Sequence, residues 1–213
     1  MVMTRTLSSL VVATCIGTVV VGIACSHRPP DDPKAYAAAV TAARAAKDAD
    51  FQRSSTPVPD AQKTTFLPLA YFPVDPAYNV IAGLVAAESP RTVMMPTSTG
   101  QQRRMRDVGM MEFVLKGQPL KLRAMVEDGA DMSRLTVMFS DLTSGSETYA
   151  AGRYIDLGRT ASGIYALDFY RGYHPYCYYN PTYECPYPPA ENRLKVPIHA
   201  GERMRKTSEA PSR

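Results

Sequence analysis

Residues 102–127 read QRRMRDVGMMEFVLKGQPLKLRAMVE. Two β-prone runs, Gln102–Asp107 and Met110–Leu115, lead into Lys116-Gly117-Gln118, and a third run, Lys121–Glu127, follows. A glycine-centred turn between alternating segments reads as a hairpin, because glycine supplies the positive φ that a tight turn needs. Ser98-Thr99-Gly100 gives the same signal upstream, and Asp128-Gly129 is a further turn downstream. Working outward, further strands are predicted over Thr65–Leu67, Asn79–Ala86, Arg91–Met95, Leu135–Ser140, Tyr149–Asp156, Gly163–Phe169 and Arg193–Ile198. Many short strands with close turns predict a mainly β domain, an antiparallel sandwich or barrel, and not a βαβ fold.

One helix precedes the strands. Asp32 is a good N-cap and Pro33 suits the first helical position. Lys34–Phe51 is Ala-rich, with a thin stripe of Tyr36, Val40, Ala43, Lys47 and Phe51. Arg44 and Asp48 stand one turn apart and can pair. Residues 54–62 form a loop. The domain is expected to span 33–205, with 206–213 a disordered tail. About 180 residues suffice for one domain with a real core.

The start of the chain reads as an export signal. Arg5 is the only charged residue before His27, and Leu7–Ile23 is apolar or small throughout. Ala24-Cys25-Ser26 then fits a lipoprotein cleavage site, with Cys25 as the lipidated residue, although Gly22 stands where a leucine is usual. This reading is preferred to plain cleavage and to an uncleaved anchor, since Ser8, Ser9, Thr14, Gly17, Thr18 and Gly22 dilute the apolar run. Residues 1–24 are thus the signal and 25–32 the lipidated cysteine and an extended, Pro-containing tether. The expected location is the cell envelope, with the domain held to a membrane at its periplasmic or extracytoplasmic face.

The formal net charge of +4 falls by one when Arg5 leaves. That balance is ordinary and does not predict nucleic-acid binding. Arg103, Arg104 and Arg106 make only a weak basic patch, read as a solvated strand edge or turn. Of the cysteines, Cys177 and Cys185 remain after processing as an unmodified pair. Outside the cytoplasm they are expected to form a disulfide. His174 and His199 join them as possible zinc ligands, but the spacing matches no standard finger and the thiols should oxidise first, so no metal or cofactor is assigned.

Three clusters stand out. In residues 139–154, Asp141, Thr143 and Ser144 can bond a turn backbone, and Arg153 needs either water or a carboxylate such as Asp141 or Asp168. Residues 170–189 hold seven of the thirteen tyrosines and five of the eighteen prolines, too rigid for a helix or a paired central strand. That segment reads as an ordered loop pinned at Cys177 and Cys185, either a cover over one end of the core or an aromatic binding surface through Tyr173, Tyr176 and Tyr178. Glu191, Asn192 and Arg193, with Gly201 and Glu202, flank a last strand over Lys195–His199. They complete either a pocket with Arg153 and Asp168 or a salt-bridge network.

The segments FSDLTSGSETYAAGRYID (139–156), LDFYRGYHPYCYYNPTYECPYPPAENRL (167–194) and IHAGER (198–203) resemble the bacterial domain-of-unknown-function family numbered 1684. AARAAKDADF (42–51) and FLPLAYFPVDPAYNVIAGL (66–84) resemble it too, so that the likeness covers about residues 34–205. It implies motif positions at Asp141, Thr143, Ser144, Gly145, Thr148, Tyr149, Gly152, Arg153, Asp168, Cys177, Cys185, Glu191, Asn192, Arg193, Gly201 and Glu202. The family usually has D-F-N where this chain has Asp168-Phe169-Tyr170, and Y-N-P where it has Tyr173-His174-Pro175. The resemblance implies no activity.

Two functions from different classes follow. The first, preferred, is an envelope-anchored binding or structural module whose partner is a glycan, a peptide or another envelope protein; Tyr173, Tyr176, Tyr178 and Arg153 are its candidate binding residues. The second is a hydrolase drawing acid, base and binding groups from Asp141, Arg153, Asp168, Glu191 and Asn192 around an open pocket. No nucleophile elbow, phosphate loop or dinucleotide fingerprint is present.

Overall fold

In the computed structural model the described residues are 32–53, 56–89 and 91–206. The signal, Cys25, nearly all of the tether and residues 207–213 lie outside them. Among the described residues no helix is long and apolar enough to cross a membrane.

Helix α1 spans Pro33–Gln52, and the Asp32 carboxylate accepts from the Lys34 and Ala35 amides, as an N-cap should. Its stripe docks as read: Phe51 is buried, and Tyr36 and Val40 pack against the core. Arg44 and Asp48 do not pair. Arg44 reaches the Phe72 carbonyl (3.0 Å) and Asp48 accepts from the Leu69 amide (2.8 Å), because both point at the barrel and not along the helix surface. Thr65–Leu67 is not a strand. Lys63–Phe66 forms a single helical turn, α2, closed by the Leu67 amide on the Lys63 carbonyl.

Nine strands follow. They are β1 (Ala70–Tyr71), β2 (Asn79–Ala86), β3 (Thr92–Pro96), β4 (Gln102–Leu115), β5 (Gln118–Glu127), β6 (Arg134–Phe139), β7 (Arg153–Gly158), β8 (Ile164–Asp168) and β9 (Glu202–Arg203). β1 pairs with β9. The others form one antiparallel sheet in the order β7-β6-β5-β4-β2-β8, with β3 on β4, that curls into a nearly closed barrel. The two runs read as separate strands, 102–107 and 110–115, are one strand. The β4–β5 register shifts between Asp107 and Gly109. The bulge reverses which side chains face inward. Met111, Phe113 and Leu115 fill the barrel, whereas Met105 turns outward.

Two clusters therefore flank the sheet. The interior holds Val80, Leu122, Val126, Val137, Ile155, Leu167 and their neighbours. The outer face carries Met95, Met105, Met125, Met138 and Tyr154 beneath Cys177 and Cys185. The Tyr/Pro-rich loop thus covers the outside of the sheet and not one end of the core. It is ordered and strand-free, built on short 3-10 turns at Phe169–Arg171, Tyr176–Tyr178 and Ala190–Asn192. Tyr173 pairs by backbone with Tyr154 of β7 (2.9 and 3.0 Å), which occupies that sheet edge.

β7 begins later than read, at Arg153, because Gly152 (φ 86°) turns the chain where a Cβ would strike the Phe139 carbonyl. Arg193–Ile198 is not a strand. It meets Ser140, just past β6, through one bridge at Arg193, and Pro197 has no amide to continue a ladder.

Candidate functional site

Strand β7 carries Arg153 and the turn after β6 carries Asp141. The Asp141 carboxylate folds its own turn as expected, accepting from the Thr143 amide (2.8 Å) and hydroxyl (2.7 Å) and from the Ile198 amide (3.2 Å). Its other oxygen takes Arg153 at 2.9 Å. Arg153 also donates to the carbonyls of Ile198 (2.8 Å), Glu202 (3.1 Å) and Ala200. Both side chains are fully buried. Burial draws the Arg153 pKa down, and Asp141 opposes that shift. The pair is a closed staple holding the 198–202 segment against the barrel. Neither residue lines the cavities described below.

Asn192 is equally enclosed. β5 and β6 pair at a single register position, Met125 to Thr136. Asn192 fills the gap where they splay. Its amide nitrogen donates to the Arg123 (2.9 Å) and Met138 (2.7 Å) carbonyls, and its oxygen accepts from the Arg123 amide (2.6 Å). One side chain thus replaces a stretch of missing ladder. Neighbouring Glu191 is exposed and pairs with Arg123 at 3.3 Å. The five residues proposed for a common pocket are accordingly not brought together.

Glu191 lines a space of about 300 Å³ beside Asp107 and Arg123, and Asp168 opens onto a larger cavity. Between α1 and the barrel lies a space of about 460 Å³, lined by Tyr36, Arg44, Lys47, Tyr71, Arg134, Asp156, Asp168, Tyr170, Arg171, Tyr173 and Glu202, with Ala39, Val40 and Ala43 on the helix side. The small residues of α1 are the reason for the space: alanines cannot fill the distance to the sheet. Asp168 accepts from the Tyr36 hydroxyl (2.8 Å) and the Tyr170 amide (2.9 Å). Burial raises its pKa, and those bonds counteract the rise. Asp156 accepts from Thr136 and Tyr173 (both 2.9 Å) and stands 3.6 Å from Arg134. Glu202 is buried and takes Lys47, the His174 amide (2.7 Å) and the Tyr179 hydroxyl (2.7 Å). Burial pushes its carboxyl up, but Lys47 and these donors bring it on balance below the usual range.

Arg44 lies 4.5 Å from the Tyr71 ring centre and 5.4 Å from that of Tyr170. Among the described residues, neither Arg44 Nε nor the Tyr71 hydroxyl has a hydrogen-bond partner, although both atoms are buried. A buried donor without a partner costs on the order of 1–3 kcal/mol. Sequence reasoning placed Tyr36 on a helix stripe and Arg44 in a pair with Asp48, and did not single out Tyr71 or Asp156. The thinness of that stripe was the available signal.

The tyrosine patch is not continuous. Tyr176 is 45 % exposed and packs edge-on against Tyr183, beside a second cavity of about 390 Å³ lined also by Arg103, Tyr154, Tyr173, Glu184 and Cys185. Tyr173 is half-buried between the two cavities. Tyr178 turns away into a cluster with Tyr149, His174 and Phe66. The 3-10 turn at 176–178 separates these neighbours in direction.

Cys177 and Cys185 are free, buried thiols 3.0 Å apart, so the expected bridge is not formed in this structure. His174 is buried and accepts from the Tyr149 amide (3.2 Å), while His199 is exposed beside Glu147 (3.2 Å). Among the described residues no group of three or more His, Cys, Asp or Glu is placed to hold a metal ion. The arginines at 103, 104 and 106 are paired with Glu127, Asp128 and Glu184.

Residues 64–203 match the family described as a protein of unknown function, DUF1684. An uncharacterized protein of Haloarcula marismortui, solved by solution NMR, is 34% identical with a TM-score of 0.64, over 81% of this chain and 96% of that one. No curated protein matches the chain.

Proposed function

Since the chain belongs to the DUF1684 family of proteins of unknown function, we propose, from its own geometry, that it is a ligand-binding module of the cell envelope, anchored through a lipid on Cys25, whose ligand enters the cavity beneath α1. The leader and the Ala24-Cys25-Ser26 site support the location. The observation that carries the binding role is the cavity itself, with tyrosine faces and two buried donors lacking partners.

Its lining selects a ligand class. Four cationic side chains face three carboxylates. Lys47 is taken by Glu202, and Arg134 stands by Asp156. Arg44 and Arg171 then outweigh Asp168, which favours an anionic group. Tyr36, Tyr71, Tyr170 and Tyr173 offer flat faces with polar tips, suited to a sugar ring. An acidic sugar of the envelope combines both properties.

The test is an NMR titration of the exported domain with N-acetylmuramic acid, which carries a sugar ring and a carboxylate. Shifts should concentrate at Tyr36, Arg44, Tyr71 and Tyr170. Ala43→Trp, which fills the cavity without removing a polar group, should abolish them. Arg44→Gln should weaken binding about tenfold, the loss of roughly one charge-assisted hydrogen bond. Shifts located elsewhere, or binding indifferent to Ala43→Trp, would refute the reading.

A further inference from the structure

The second cavity adjoins a chemistry that ligand binding does not use. Cys185 lines it, in company with Tyr173, Tyr176 and Tyr183. Cys177 does not, although both cysteines pack in the same cluster with the outer-face methionines. The two are in contact at 3.0 Å, and the Cys177 amide donates to the Cys185 sulfur at 3.2 Å. The two cysteines are buried to the same degree, and the difference between them is that Cys185 forms part of the cavity wall.

Hydrogen bonds also tie the loop that carries them to the sheet. The Ser98 amide donates to the Cys185 carbonyl (2.9 Å), and the Tyr187 amide to the Pro96 carbonyl (2.9 Å). The Cys185 amide donates to the Ser98 hydroxyl (3.1 Å), and the Tyr154 hydroxyl to the Pro186 carbonyl. With the thiols free, both flanks are still tied to the sheet. A bridge between flanks anchored in this way can open without releasing either flank from the sheet.

We infer that Cys177 and Cys185 form a thiol–disulfide exchange site, in which an external thiolate entering the second cavity attacks Cys185 and Cys177 departs. In the oxidised protein the incoming thiolate bonds to the Cys185 sulfur and the Cys177–Cys185 bond breaks, its electron pair leaving on Cys177. A second thiolate of the same external dithiol then attacks its own sulfur in the mixed disulfide and releases Cys185, which takes up a proton. The external dithiol ends as a disulfide, having lost two electrons and two protons. The protein gains the two electrons and ends with Cys185 as the thiol and Cys177 as the thiolate; the second proton passes to solvent. As Cys177 departs, Cys185 is bonded to the incoming sulfur and has no proton to give, so the Ser98 and Tyr149 hydroxyls are the groups that favour the departing thiolate against burial. A leaving thiol of lower pKa departs faster. The substrate class is a dithiol on an exposed segment or small molecule that fits among the tyrosines.

The experiment uses the full exported chain, oxidised with oxidised glutathione and then exposed to reduced glutathione without denaturant. Quenched samples are mapped by peptide mass spectrometry. The expected result is a bridge between Cys177 and Cys185 that opens in the folded state, with the transient glutathione adduct on Cys185 at about ten times the level on Cys177. Cys177→Ser should trap a stable adduct on Cys185. If that variant fails to fold, differential alkylation of the wild-type chain during reduction gives the same assignment. A bridge that opens only after denaturation, an adduct chiefly on Cys177, or no bridge after oxidation would each overturn the inference.

Discussion

Asn192→Ala tests the most specific structural assignment made above, since the same residue was a candidate for catalysis. The substitution removes three hydrogen bonds, to the Arg123 amide and to the Arg123 and Met138 carbonyls. Each is worth about 1 kcal/mol net, and the Met138 carbonyl is left buried with no partner at that position. Water can reach the Arg123 groups, which are half-buried, so the total loss should be about 3 kcal/mol and not more. For a domain of this size that lowers the melting temperature by roughly 6–12 °C. Chemical denaturation measures the loss, and amide exchange locates it. The Arg123 amide should exchange faster in the variant, together with its neighbours along the β5–β6 seam. A loss under about 1 kcal/mol, or an unaltered Arg123 amide, would refute the view that Asn192 substitutes for the missing ladder.

Arg153→Met leaves the Asp141 carboxylate buried without its cation; a loss of about 3–5 kcal/mol is expected by urea denaturation. Retained stability would mean that the 198–202 segment is held by other contacts. Gly201→Ala must fail for a different reason: at φ 77° the added Cβ runs into the Gly172 and Phe169 carbonyl oxygens. Little soluble protein should be recovered on expression, whereas near-normal yield would contradict that packing. Burial holds the His174 pKa down to about 3, so its ring stays neutral in the folded chain where in the unfolded chain, near 6.5, it gains a proton. The unfolded state then binds more protons, and stability should fall as pH drops from 6.5 toward 5, by up to about 1.4 kcal/mol per unit. His174→Asn should flatten that slope in denaturation curves taken across the window; an unchanged slope assigns it to another group. Tyr36→Phe removes the hydroxyl bond to Asp168 and should loosen α1 by about 1 kcal/mol, seen as faster exchange confined to that helix.

The elements legible in the sequence were those whose cause is local. The Gly100 and Gly117 turns, the Asp32 cap and the strand over Asn79–Ala86 each depend on residues a few positions apart, and each is found where it was read. The Asp141 turn belongs with them, as does the ordered, non-helical character of residues 170–189. Misread elements were those whose local pattern had competitors. Thr65–Leu67 is β-prone but has no partner strand, and Arg193–Ile198 meets the segment after β6 through one isolated bridge and not a ladder.

Function-bearing geometry was mostly not legible, because it depends on which distant segments the barrel brings together. Arg153 is closed off by carbonyls 45 to 49 residues away. The cavity under α1 joins Tyr36 to Asp168, 132 residues apart, and exists because alanines leave a helix standing off a curved sheet. A bulge at Asp107–Gly109 decides that Met105 faces outward to the cysteine loop. Residue type and spacing therefore determined the strands, turns and helix of this protein. Only the closing of the barrel decided which polar side chains are sealed as structure and which remain open to a ligand, since burial is a property of the assembled whole.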